Sequence, residues 1–161
     1  MKKFHELLNK LDNLLISTAA LCFFVILIVS VAEILYRGFF GSSFLWTVDL
    51  CVILASWTML LGAAVMVHRN DHLIVDILIS KASPKFKRVL AIIVNLVVFA
   101  FFIMLFFTGL QSAAVKMNMR FTSIGWKMGV SFYALPVFAF FSILFMIERI
   151  LILLRGDKKH E

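Results

Sequence analysis

Residues 45–67 read LWTVDLCVILASWTMLLGAAVMV, and this stretch decides the fold class. Asp49 is its only charged side chain. An α-helix of about 20 apolar residues crosses the hydrocarbon core of a bilayer, so the stretch can span a membrane. Three further segments have the same character: residues 14–35, 89–115 and 130–154. Because lipid offers no partner for backbone polar groups, the sequence predicts four transmembrane helices in an all-α integral membrane protein.

The overall composition supports this assignment. Hydrophobic residues make up 63% of the 161-residue chain, whereas soluble domains contain about 45–50%. The net charge of +7 does not indicate nucleic-acid binding, because the basic residues lie between apolar runs, where they meet lipid headgroups. Cys22 and Cys51 lie inside apolar runs, which favours small buried side chains over a disulfide. No histidine lies inside a run, which argues against a haem-binding membrane subunit.

Two flanking segments are amphipathic and are predicted to lie on the membrane surface. The first precedes the first span; its apolar positions are Phe4, Leu7, Leu8, Leu11 and Leu15, and its polar positions are Lys3, Glu6, Lys10 and Asp12. The second follows the second span; its apolar stripe is Leu73, Ile74, Ile77 and Leu78, with His72, Asp76, Ser80 and Lys81 elsewhere. Ser83-Pro84 then ends or restarts the helix.

The distribution of Lys and Arg predicts the orientation. One side of the membrane would carry 12 of these residues, namely Lys2, Lys3, Lys10, Arg69, Lys81, Lys85, Lys87, Arg88, Arg149, Arg155, Lys158 and Lys159. The other side would carry 4, namely Arg37, Lys116, Arg120 and Lys127. Since positive residues concentrate on the cytoplasmic side, both termini and the middle loop are predicted to be cytoplasmic.

Few ionisable residues lie at membrane depth, where such groups are functional candidates. Glu33 and Arg37 are spaced i to i+4, which allows a helical salt bridge, and Asp49 opens the second span at the same depth. We consider two interpretations equally: an outer cluster in which one or both acids hold Arg37, and interfacial snorkelling without fixed pairing. Glu148 and Arg149, in the last two turns of the fourth span, are assigned to orientation and partner contact.

The three tryptophans receive separate predictions. Trp46 and Trp126 flank spans on the outer side, as in an aromatic belt. Trp57 lies in mid-span, where its indole N–H needs an acceptor, and is predicted to pack against a neighbouring helix.

Small residues predict helix-packing faces. The second span carries such a face at Ala55, Ser56, Gly62 and Ala63, and the third at Gly109 and Ala113. Pro136, one-third into the fourth span, is predicted to kink it. No catalytic set, metal-ligand spacing, C-x-x-C or phosphate-binding loop appears, so the sequence predicts neither an enzyme nor a cofactor.

The stretch from Trp46 to Asp76, WTVDLCVILASWTMLLGAAVMVHRNDHLIVD, resembles the small Q-type (DctQ-like) membrane subunit of TRAP transporters, the tripartite ATP-independent periplasmic systems. The positions that match the family pattern are Arg37, Trp46, Asp49, Leu50, Trp57, Leu61-Gly62-Ala63-Ala64, Arg69, His72 to Asp76, Tyr133 and Pro136. The chain departs from the pattern at Val48, where many members carry an acid, and at Val137 and Phe138, where a glycine is common.

The resemblance implies a non-catalytic subunit that scaffolds a large multi-span membrane subunit. The large subunit would carry the substrate and sodium sites, and a periplasmic binding protein would deliver an organic acid such as a C4-dicarboxylate or sialic acid. Membrane lipids are the other expected partners. The alternative is a self-sufficient small multidrug-type proton-coupled exporter, which needs a carboxylate near mid-membrane, whereas Glu33 lies at the end of its span. A membrane anchor for a redox enzyme is opposed by the missing intramembrane histidine.

Overall fold

A computed structural model describes residues 2–69 and 84–155 of the chain. It contains four long helices and one short one: α1 (Lys2–Phe40), α2 (Leu45–Arg69), α3 (Pro84–Lys116), α4 (Gly129–Phe132) and α5 (Ala134–Arg155). Four segments are long and apolar enough to cross a membrane, and they are His5–Phe40, Leu45–Arg69, Ile92–Lys116 and Gly129–Leu151. The prediction of four spans in an all-α protein is confirmed.

The long helices pack in a row rather than in a closed ring. α1 packs against α2, α2 against α5, and α5 against α3, while the short α4 contacts both α2 and α3. α1 and α3 therefore lie at opposite edges of the row. One end of the row holds the start of α1 and the ends of α2 and α5, and we call it the terminal face. The other end holds the α1–α2 connection and residues 117–128, and we call it the loop face.

The N-terminal amphipathic segment is helical and continues into the first span without a break, and its apolar stripe packs within the chain. α1 runs for 39 residues without interruption, about 58 Å at 1.5 Å per residue. Leu8 and Leu15 are buried among apolar side chains of α2 and α5, so the stripe packs on protein instead of lipid. The second amphipathic segment, with His72 and Asp76, lies outside the described residues.

The fourth span is interrupted near its start. α4 ends at Phe132 and α5 begins at Ala134, with Tyr133 between them. Pro136 has no N–H to donate to the carbonyl of Phe132, and its ring crowds that carbonyl, so the helix is interrupted one turn before the proline. The interruption lies at Tyr133, and the kink at Pro136 stays a prediction.

The small-residue face of the third span is used for packing. A Cβ atom placed on Gly109 would lie 3.0 Å from Pro136 Cδ, and Ala113 is fully buried. At the start of α4, a Cβ atom on Gly129 would lie 2.9 Å from the backbone oxygen of Ala113. These close approaches let α3 lie directly against the two parts of the fourth span.

Candidate functional site at the two ends of the helix row

The most concentrated set of ionisable side chains lies at the terminal face. The Asp12 side chain on α1 is only 7% exposed. Its Oδ2 atom accepts hydrogen bonds from Arg69 Nε at 2.9 Å and from an Arg69 terminal nitrogen at 2.7 Å. Hydrogen bonds between ionised partners are among the strongest in proteins, so this pair ties α1 to the last residue of α2.

His68 extends this contact to α5. Its Nδ1 atom lies 3.2 Å from Asp12 Oδ1, and its Nε2 atom lies 3.6 Å from Glu148 Oε2. His5 Nδ1 lies 2.7 Å from the other oxygen of Glu148. We call these five residues the terminal network: His5, Asp12, His68, Arg69 and Glu148. It joins α1, α2 and α5 through side chains alone.

His68 lies at the centre of the terminal network. One of its ring nitrogens faces Asp12 and the other faces Glu148. The ring also packs on Phe145, with the ring centroids 4.4 Å apart. Held between two acids and an aromatic ring, His68 occupies the centre of the network.

The depth of the terminal network follows from the length of α2. His68 lies about 35 Å along the helix from Leu45 at 1.5 Å per residue, and the hydrocarbon core is about 30 Å thick. The network therefore lies at the edge of the membrane rather than in its centre. Glu148, assigned above to orientation and partner contact, is buried within the chain at 8% exposure. Arg149 is half-buried and makes a contact of its own.

At the loop face, Asp49 binds backbone amides. Its Oδ2 atom accepts hydrogen bonds from the N–H groups of Ser123 at 2.8 Å and Ile124 at 3.2 Å. The donating segment is a turn in which Gly125 has a φ of 72°, in the left-handed region that favours glycine. The contact ties the start of α2 to the connection between α3 and α4.

The predicted cluster, in which Glu33 or Asp49 holds Arg37, is wrong. Within residues 5–69 and 89–151, no ion pair joins Arg37 to Glu33 or Asp49 at 4.0 Å or less. The physical reason is that the loop amides occupy Asp49, whereas Arg37 is exposed and can reach headgroups or water. The alternative interpretation, snorkelling without fixed pairing, describes Arg37 better.

The aromatic predictions agree with the geometry. Trp57 Nε1 donates to the backbone oxygen of Val130 at 3.2 Å, so the mid-span indole has the acceptor that its burial requires. Trp46 and Trp126 are 41% and 55% exposed and both belong to the loop face, which fits a belt at one membrane interface. Tyr36 stacks on Phe44 beside Trp46, with centroids 4.1 Å apart.

Gly62 is the one predicted packing glycine that this chain does not use. A Cβ atom placed there would meet nothing within 4 Å. The close-approach surface that it offers on α2 is therefore available to something outside the described parts of this chain.

Sequence reasoning missed His5, Asp12 and His68, although one signal was present. Leu8, Asp12, Leu15 and Ala19 recur at helical spacing and form a single stripe, so Asp12 shares the buried face of α1. A carboxylate on an apolar stripe indicates a buried partner. Among the described residues, no group of three or more His, Cys, Asp and Glu could hold a metal ion. The arrangement holds helices together.

Comparison with known proteins assigns the family. The model of the DctQ component of tripartite ATP-independent periplasmic transporters matches residues 25–156. The chain belongs to this family. As a DctQ-family protein, it is a small-permease-type component of a transporter and not an enzyme.

Two curated relatives resemble parts of this DctQ-family chain. The sialic acid TRAP transporter permease protein SiaT of Haemophilus influenzae (strain 86-028NP) is 33% identical over 92 residues, which are 57% of this chain and 14% of that protein. The C4-dicarboxylate TRAP transporter small permease protein DctQ of Vibrio cholerae serotype O1 is 30% identical over 78 residues, which are 48% of this chain and 34% of that protein. The matched regions thus span about a seventh and a third of these relatives.

Proposed function

We propose that the chain is the non-catalytic small membrane subunit of a TRAP-type secondary transporter. It scaffolds a large membrane subunit that carries out sodium-driven uptake of an organic acid, which a periplasmic binding protein delivers. The names of the two relatives suggest a C4-dicarboxylate or sialic acid as that organic acid. The complex would lie in a bacterial inner membrane.

The observation that carries the proposal is the absence of charge from the centre of every span. No Asp, Glu, Lys, Arg or His lies between Asp12 and Glu33, between Asp49 and His68, between Arg88 and Lys116, or between Lys127 and Glu148. Substrate and ion pathways in membranes are marked by such residues. The ionisable groups of this chain instead lie at its two ends, where they join helices to one another.

The surface of the row supports a partner within the membrane. At most 39% of the most apolar 18-residue window of any span is buried inside the chain, and the value for the first span is 11%. A row of helices presents both of its broad sides outward. One side can pack on a large subunit while the other faces lipid, as expected of a scaffold.

We expect the chain alone to transport nothing. The test is uptake of a labelled C4-dicarboxylate or sialic acid into liposomes under an inward sodium gradient, with the cognate binding protein outside. Liposomes with this chain alone should match empty liposomes, because its spans offer no polar path. Liposomes that also contain the large subunit should accumulate solute. Sodium-dependent uptake by this chain alone would overturn the scaffold assignment.

The orientation gives a second prediction. From the excess of Lys and Arg at the terminal face we expect both termini to be cytoplasmic. In a background with Cys22 and Cys51 replaced by Ala, Asn118→Cys should react with a membrane-impermeant thiol reagent in whole spheroplasts. Lys3→Cys should react only after permeabilisation. The reverse pattern would show that the loop face is cytoplasmic.

A further inference from the structure

A groove opens at the loop face between the end of α3 and the short α4. It is lined by Gln111, Ser112, Val115, Lys116 and Phe132 and has a volume of about 300 Å³. Its wall has an apolar part and a charged part: Val115 is apolar and 61% exposed, and Lys116 carries a positive charge. The groove takes no part in the terminal network or in the contact of Asp49.

The Lys116 ammonium lacks an acidic partner within the part of the chain that the structure describes. No carboxylate oxygen in that part lies within 4.0 Å of it. The ammonium lies 5.7 Å from the centroid of the Phe132 ring and 3.6 Å from Met119 Sδ, a weak acceptor. The ring holds the charge at the rim of the groove, and N–H donors remain for an anion.

The position of Lys116 matches the depth of lipid phosphates. It is the last residue of the span Ile92–Lys116 and lies on the same face as the exposed Trp126. Gln111 lies about 7.5 Å deeper along α3 and is exposed. A carboxamide that faces the membrane at this depth needs a polar partner. The ester groups of a phospholipid lie below its phosphate and can supply that partner.

We propose that this groove binds one anionic phospholipid of the loop-face leaflet. The lipid phosphate contacts Lys116, an ester oxygen accepts a hydrogen bond from Gln111, and an acyl chain covers Val115 and Phe132. A free phosphate ion shares the charge of the headgroup but would leave the apolar part of the groove uncovered. The membrane lipid is therefore the occupant to which we commit.

The test compares lipid retention by the full chain in nanodiscs of phosphatidylcholine with a minor fraction of phosphatidylglycerol. Native mass spectrometry of the released protein gives the ratio of phosphatidylglycerol to phosphatidylcholine that stays bound. The wild type should retain one phosphatidylglycerol in preference. Lys116→Gln should reduce that preference roughly fivefold, the scale of one basic residue at an anionic membrane surface. Lys116→Arg should preserve most of the preference.

Lys127→Gln is the matched control, because Lys127 is an exposed cation of the same face that does not line the groove. It should leave the preference unchanged, and Gln111→Leu should reduce retention of either lipid. Equal retention by the wild type and Lys116→Gln would overturn the proposal, and so would an equal loss with Lys127→Gln. Release of the bound lipid by millimolar inorganic phosphate would assign the groove to free phosphate and would also overturn it.

Discussion

Replacing Asp12 by Asn is expected to lower the free energy of unfolding by about 2 kcal/mol. The neutral amide keeps the shape of the side chain but leaves Arg69 and His68 without their shared carboxylate. Loss of one partner of a fully buried pair typically costs about 3–5 kcal/mol. The expected loss is smaller because the Arg69 side chain is 46% exposed and can turn toward water or headgroups.

The purified chain is unfolded reversibly in mixed micelles, and its helix content is the signal that reports unfolding. Glu6→Gln is the control, since Glu6 is an exposed acid on the same helix, and its effect should stay within about 0.5 kcal/mol. A double-mutant cycle with Arg69→Gln should give a coupling energy on the order of 1–2 kcal/mol. If Asp12→Asn were as stable as Glu6→Gln, Asp12 would not contribute to the attachment of α1.

Replacing Gly129 by Ala is expected to cost about 1–3 kcal/mol, in the range of overpacked interiors. The added Cβ atom would lie 2.8 Å from Met117 Cγ and 2.9 Å from the backbone oxygen of Ala113. The methionine can move, but the carbonyl belongs to α3 and its movement shifts the whole helix. Alanine usually stabilises a helix by about 1 kcal/mol relative to glycine, and the steric term outweighs that gain here.

Gly62→Ala is the matched control for this substitution. It is also a helical glycine, and its added Cβ atom would meet no atom within 4 Å. In the isolated chain it should be neutral or stabilising by up to about 1 kcal/mol. The same micelle assay compares the two variants. If Gly129→Ala were as stable as Gly62→Ala, the close packing between α3 and α4 would not limit stability.

The number and type of the helices were predictable because the length of an apolar run is a local property of the sequence. The packing role of Gly109 and the helix break near Pro136 were also predictable from the sequence. The first depends only on the missing glycine side chain, and the second on the missing proline N–H. The need of Trp57 for an acceptor followed from its indole. The identity of that acceptor, the Val130 backbone oxygen, did not, because every residue has a carbonyl group.

The polar contacts were harder to predict from the sequence, for two physical reasons. The terminal network joins residues separated by as many as 143 positions, and their meeting depends on the rotation of three helices about their axes. The partner of Asp49 is a pair of backbone N–H groups in a turn, and no side chain indicates them. Asp49 and Arg37 were expected at the same membrane depth, which suggested an ion pair. Instead, two backbone N–H groups of the turn stabilise the Asp49 carboxylate by hydrogen bonds.

The row of helices also has a consequence for how the chain assembles during synthesis. α1 with α2, and α3 with α5, are hairpins of consecutive spans, each of which can form as soon as its second helix enters the bilayer. The two hairpins then meet mainly along a seam between α2 and α5, to which α1 adds the contact of His5 with Glu148. Polar contacts lie at both ends of that seam, from Asp49 to Ser123 and from His68 to Glu148. We expect this seam to close last and to open first, so that early unfolding releases two intact hairpins instead of four separate helices.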